Sequence, residues 1–347
     1  MRETYAIVAA AARLRERRIP YLVATLVSVQ GSSYRRPGAR LLVTEEGRVA
    51  GNVSGGCLER DVIRTGFWRT RHGPVVLRYD STDADGTEAA LGCGGVVEML
   101  LEAWDGKDEG DPLKVVEEAV ASGRRQLVST VFRSTDPHVP IGTQWWVGGA
   151  APSEESAVTR EMRTASGSIE VLVEPVLPPP RLFVLGAGFD AEPLVAAARQ
   201  LGWLVTVWDP SPSFASRSRF EKIADVVTDL GLVGRRIEGS DRAMAVIMGH
   251  HVENDRAALR MALASRAEYI GILGPRHRTE KLAQSLTAGA LEDPRIHAPV
   301  GLDLGAETPE EIALAITAEM LASLRRRGTG AGVTSLRRRP IIHEAAE

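Results

Sequence analysis

The chain has 347 residues, which at roughly 150 residues per domain predicts two domains, each large enough for its own core. Hydrophobic residues make up 44% and charged residues 25%, which excludes a chain disordered throughout. With 42 Lys+Arg against 45 Asp+Glu the net charge is -3, so nothing at whole-chain level points to a protein that wraps nucleic acid or coats an anionic membrane. The two cysteines, Cys57 and Cys93, are too few for a disulfide framework or a four-thiolate metal site and point to a reducing cytoplasm. The first apolar run is broken by Arg13, Arg15 and Arg17, unlike a signal peptide. No segment approaches the roughly 18 apolar residues of a membrane-spanning helix.

In chain order, Tyr5, Val8, Ala9 and Ala12 have helical spacing, and 21–29 reads as a buried strand. From 31 to 56 short apolar runs alternate with glycine turns, predicting short strands joined tightly. A helix is expected over 58–71 and strands over 75–79 and 96–102. Asp111-Pro112 then supplies a cap and a first-turn proline to a helix that Gly123 ends. Strands follow at 126–132 and 144–147, and the polar 151–167 reads as a loop with a short helix. Three prolines, Pro178 to Pro180, remove amide donors and mark a linker at 177–180. Beyond it strand and helix alternate: strand 182–185, helix 190–200, strand 204–208, strand 244–248, helix 255–266, strand 269–273. Alternation of this kind requires crossovers, hence a parallel sheet covered on both faces. The expected organisation is a mixed α/β domain at 1–176, a Rossmann-like domain at 181–328 and a mobile tail at 329–347.

Four groups of residues could carry chemistry. Gly186-Ala-Gly188 between strand and helix, with Asp209 closing the next strand, has the parts of a dinucleotide-binding turn. Asp190 sits where a bound phosphate would be repelled. Two glycine loops hold the thiols: Ser54-Gly55-Gly56-Cys57-Leu-Glu59, and Gly92-Cys93-Gly94. Cys57 at a helix start would have its thiolate stabilised by the helix dipole. The segment Ser32 to Arg40, with Arg35, Arg36 and Arg40, could receive phosphate or carboxylate oxygens. His250 and His251 follow a strand at the end where ligands collect, and if both lay on the strand at most one would face the cleft.

The sequence resembles the XdhC/CoxI family of accessory proteins that mature molybdenum hydroxylases. The resemblance rests on Gly31-Ser-Ser-Tyr-Arg-Arg-Pro-Gly-Ala39, Ser54-Gly-Gly-Cys-Leu-Glu59, Gly92-Cys-Gly-Gly95, Gly186-Ala-Gly188, Asp209, the segment from Tyr269 to Arg278 including Arg276, and the segment from Ile296 to Ile312. It implies a protein that binds the molybdenum cofactor, in its molybdopterin or dinucleotide form; a cytoplasmic location is expected from the cysteine usage and the lack of a targeting segment, and a homodimer because transfer proteins of this size commonly form C2 pairs. The protein would shield the cofactor while a cysteine desulfurase helps install the terminal sulfur, then insert it into a xanthine dehydrogenase-type enzyme. Ser32, Arg35, Arg36, Ser54, Gly55, Gly56, Cys57, Glu59, Cys93, Gly94, Gly186, Gly188, Asp209, His250 and Arg276 are the expected cofactor contacts, and Cys57 and Cys93 the candidate molybdenum ligands. The alternative is an NAD(P)-dependent oxidoreductase built on Gly186, Gly188 and Asp209. The chain departs from the family pattern at Tyr34, Phe189, Gly249 and Asp209-Pro210-Ser211.

Overall fold

The computed structural model describes residues 2–80, 95–107, 110–147, 156–215, 217–220, 223–283 and 289–325. The chain divides into two compact units, Met1–Pro178 and Pro179–Glu347. In the first, α1 (Arg2–Glu16) leads into β1 (Tyr21–Gln30), β2 (Arg40–Thr44) and β3 (Gly47–Gly51). Next come α2 (Cys57–Arg69), β4 (Val75–Asp80), β5 (Val96–Trp104), α3 (Lys114–Ala121), β6 (Gln126–Ser134), β7 (Gln144–Val147), β8 (Val158–Arg163) and β9 (Ser168–Val176). The strands form two antiparallel sheets, ordered β3-β2-β1-β5-β4 and β7-β6-β9-β8.

β1 is apolar along most of its length because both of its faces are covered. Leu22, Ala24 and Leu26 pack with Leu58 and Val62 of α2, while Tyr21 and Val23 meet Ile7, Ala10 and Ala11 of α1. Val27, Leu100, Phe132 and Leu172 join the two sheets.

Two expectations are corrected here. The polar stretch read as loop and short helix contains strand β8, paired along its length with β9; Thr159 to Arg163 are exposed, so no hydrophobic period marks this edge strand. The helix expected directly after Asp111-Pro112 begins at Lys114, because Asp111 Oδ1 accepts the Leu113 amide at 2.8 Å while its carboxylate also holds Tyr21 and Arg15.

The second unit contains β10 (Arg181–Leu185), α4 (Ala191–Gln200), β11 (Leu204–Trp208), α5 (Arg217–Phe220), β12 (Asp225–Val227) and α6 (Leu230–Glu238). These are followed by β13 (Ala243–Ile247), α7 (Val252–Ala264), β14 (Tyr269–Ile272), α8 (Arg276–Ala283), β15 (Ile296–His297) and α9 (Pro309–Leu324). The strands are parallel and ordered β12-β11-β10-β13-β14-β15, the doubly wound arrangement whose direction of winding reverses between β10 and β13. Side chains of α4 and α9 build the core on one face, and those of α6, α7 and α8 build it on the other. The expected parallel sheet covered on both faces is therefore present. A ligand crevice belongs beyond the carboxyl ends of β10 and β13.

The first unit also buries charge. Arg40 of β2 is closed off from solvent against Glu174 of β9, with Nη1 donating to Oε2 at 2.8 Å and a second contact between Nη2 and Oε1. Glu102 of β5 lies in the same interior, 5% exposed. Burial pushes its carboxyl up to about 8, against the pull of Arg40. A folded-state pKa above the ordinary 4.5 means the folded chain keeps a proton that the unfolded chain releases, so stability falls as pH rises through this window and levels off above about 8. Denaturant unfolding of Glu102→Gln should show a shallower decline, with the variant more stable than the parent by about 1 kcal/mol or more at pH 8.

Candidate functional site

The carboxyl ends of β10 and β13 meet through glycine. A Cβ at Gly186 (φ 121°) would lie 2.4 Å from the Gly249 amide nitrogen, and one at Gly249 would lie 2.2 Å from Asp255 Oδ1. Such contacts are closer than any side chain tolerates, so the two strand ends approach backbone to backbone. Asp255, in the first turn of α7, is 1% exposed and pairs with Arg278 of α8, whose Nη2 also donates to the Gly249 carbonyl. Burial raises the Asp255 carboxyl above its ordinary value despite Arg278.

Around this junction opens a cleft of about 380 Å³. It is lined by the glycine turn, by Asp209 and Ser211, by His250 and Asp255, and by the apolar faces of Trp208 and Phe214. That volume lies at the small end of the range for small-molecule pockets, about 300–1,000 Å³. Both His250 and His251 line the cleft, which corrects the expectation that alternation would turn one away: β13 ends at Ile247 and His251 caps α7, so neither is on a strand. His250 Nε2 stands 3.2 Å from where a Gly188 Cβ would be.

The turn is held from two sides. Asp209 Oδ2 accepts the Ala187 amide at 3.0 Å, and Oδ1 accepts the Ser211 amide at 2.9 Å. Asp209 thus ties the end of β11 to the glycine turn. Arg219 of α5 donates to the Ala187 carbonyl at 2.7 Å and the Gly188 carbonyl at 3.1 Å, pairs with Glu192, and lies over the Phe189 ring. Among the described residues the amides of Gly188, Phe189 and Asp190 have no acceptor, and Asp190 makes no capping bond with its side chain. Arg276 is not among the residues lining this cleft; Arg278, two positions on in the same segment, reaches the strand-end loop.

In the first unit Ser54, Gly55, Gly56, Cys57 and Glu59 form one compact loop at the head of α2. The Glu59 carboxylate accepts the amides of Val53, Ser54 and Gly56 at 2.8, 2.6 and 3.0 Å and the Ser54 hydroxyl. Burial alone would raise this carboxyl, but these bonds bring it below its ordinary value. Glu59 is therefore a buried brace of the loop. Ser54 Oγ accepts the amides of Gly56 and Leu58. Cys57, the first residue of α2, is left exposed, its Sγ 3.6 Å from Ser54 Oγ.

In the arginine turn, Arg40 is consumed by Glu174 and Arg35 by Glu3, so the expected three-arginine anion receiver does not form; Ser32 and Arg36 are exposed. A Cβ on Gly95 would meet the Ser32 carbonyl at 2.3 Å, placing the chain at Gly95 against this turn. Cys93 and Gly94 lie outside the described residues.

Residues 182–320 match the family described as the XdhC Rossmann domain, and residues 14–80 match the XdhC and CoxI family. The chain belongs to the XdhC/CoxI family. Among its relatives is a Bacillus subtilis protein named as a probable xanthine dehydrogenase component, 28% identical over 88% of this chain and 93% of that protein. Another is the Escherichia coli molybdenum cofactor insertion chaperone PaoD, 25% identical over 88% of this chain and 83% of PaoD. A crystal structure described as a xanthine dehydrogenase from Bacillus halodurans superposes with a TM-score of 0.70 at 25% identity, covering 94% of this chain and 98% of that one. The segments that carried the resemblance to XdhC/CoxI proteins include both the glycine turn and the loop of Cys57.

The close packing of Gly249 against Asp255 in this family member is open to direct test. Gly249→Ala should destabilise the protein by about 2 kcal/mol or more, because the new methyl meets the buried Asp255 carboxylate. Gly234→Ala in α6, whose Cβ would come no closer than 3.5 Å to Met261 Cγ, should stabilise it by about 0.5 kcal/mol through helix propensity. Denaturant unfolding of the two variants checks the opposite signs.

Proposed function

We propose that this protein binds the molybdenum cofactor, shields it, assists its sulfuration and inserts it into a xanthine dehydrogenase-type molybdenum hydroxylase. The observation that carries the reading is the run of amides at Gly188, Phe189 and Asp190 without acceptors, at the head of α4 beside a ligand-sized cleft. The first amides of a helix have no partner within it, Gly188 lines the cleft, and a helix N-terminus favours an anion. The relative named for cofactor insertion supports the choice of cargo.

The cleft is assigned the phosphate or nucleotide end of the cargo, with His250 and Ser211 as further polar contacts. Cys57 is assigned a sulfur ligand's role toward molybdenum: its thiol is exposed on the first turn of α2, and sulfur ligands suit a soft metal centre. In this reading a cysteine desulfurase supplies the terminal sulfur, the partner is a cytoplasmic apo-hydroxylase, and the carrier is a homodimer without turnover of its own. Among the described residues no helix is long and apolar enough to cross a membrane.

Anaerobic incubation of the purified protein with molybdenum cofactor, followed by gel filtration and assay of the protein peak for molybdenum and pterin, tests the reading. Near-stoichiometric co-elution is expected, with molybdenum retention falling about tenfold or more in Cys57→Ala. Unchanged retention in a Cys57→Ala, Cys93→Ala double variant would remove the thiolates from the site. A folded protein that retains neither molybdenum nor pterin but binds NAD(H) would replace the carrier by the oxidoreductase alternative.

A further inference from the structure

Arg219 makes contacts that a surface arginine has no structural need of. Its side chain is 20% exposed. Nη1 donates to the carbonyls of Ala187 and Phe214, Nη2 to the carbonyl of Gly188, and Nε to Glu192 Oε1 at 2.7 Å, while the guanidinium lies 5.1 Å over each of the Phe189 and Phe220 rings. A peptide unit is planar and its N–H points opposite to its C=O. Fixing the Ala187 and Gly188 carbonyls on Arg219 therefore turns the Gly188 and Phe189 amides the other way. Those are two of the amides without acceptors, and Gly188 lines the cleft. On the neighbouring peptide Asp209 does the converse, taking the Ala187 amide, so an incoming anion meets donors only beyond that point.

We propose that Arg219 is a positioning residue: it aims the amides of Gly188 and Phe189 at a phosphate or pyrophosphate group in the cleft. This rests on the assignment of the cleft to the phosphate-bearing end of the cargo. Arg219 touches the turn and not the ligand, so its effect is transmitted through two peptide planes. A lysine there has one ammonium in place of a planar fork and cannot hold both carbonyls and Glu192 in the same geometry.

The test is calorimetric titration of inorganic pyrophosphate into the full chain, in phosphate-free buffer at low ionic strength, for the parent, Arg219→Gln, Arg219→Lys and Arg219→Ala. The parent is expected to bind, Arg219→Gln about tenfold more weakly, and Arg219→Lys in between. Millimolar methylguanidinium, but not urea, should restore part of the affinity lost in Arg219→Ala, a recovery that a variant damaged only in its folding would not show. Circular dichroism confirms that each variant is folded, and should Arg219→Ala fail to fold, Arg219→Lys decides. Parent binding that is unchanged in the folded variants would overturn the role of Arg219 while leaving the cleft's assignment intact. Absence of pyrophosphate binding by the parent would overturn that assignment and the inference together.

Discussion

The second unit depends on the meeting of two strand ends at a distance that only glycine permits. Gly186 lets the end of β10 approach the backbone of Gly249 beyond β13, while Gly249 leaves room for the buried Asp255 carboxylate, which pairs with Arg278. Everything around the cleft follows from this contact. With no side chain between the strands, the glycine turn can fold over the end of the sheet, the helix that follows it can point its N-terminus at the crevice, and the two histidines after β13 are delivered to the rim. The arrangement leaves polar backbone unmatched at the place where a doubly wound sheet receives its ligand.

A different economy governs the first unit. Its two sheets and three helices surround an interior that holds Arg40, Glu174 and Glu102 alongside aliphatic side chains. A buried ion pair is weak as a source of stability but costly to break on one side, so the pair of Arg40 and Glu174 acts chiefly to fix which sheet faces which. The same pairing removes Arg40 from the surface turn in which its neighbours lie, and Glu3 occupies Arg35 there. What the turn presents outward is smaller and less cationic than its composition implies. The exposed thiol of Cys57, braced by Ser54 and Glu59, is the more prominent chemical group of this unit.

The sequence was legible wherever a local pattern had a local cause. The apolar runs of β1, β5 and β10 mark strands covered on both faces, and the Gly-x-Gly turn with Asp209 marks the head of α4. The longer segments from Tyr269 and from Ile296 identify the family. α9, which is absent from the expected elements, also had a local signal: Thr308 and Glu311 form a reciprocal cap with Pro309 in the first turn. The misses have a common physical origin in contacts between residues far apart in sequence. β8 is a strand because β9 pairs with it, and its own side chains show no period. Arg219 sits on a helix of four residues with no pattern to announce it. Arg278, rather than Arg276, reaches the strand-end loop because α8 faces α7 in the fold. The bracing of the Cys57 loop by the Glu59 carboxylate likewise becomes visible only once the loop is folded over the head of α2.

The exposed border of the second antiparallel sheet bears on how such a protein behaves at high concentration. β8 is an outermost strand, and its outward residues include Arg160, Glu161 and Arg163. An open strand edge is a template on which another strand can add, and alternating charges along it make such additions unfavourable. With an edge of this kind, encounters between copies do not readily grow into sheets. Replacing these charges with apolar residues would leave the core untouched while removing that protection.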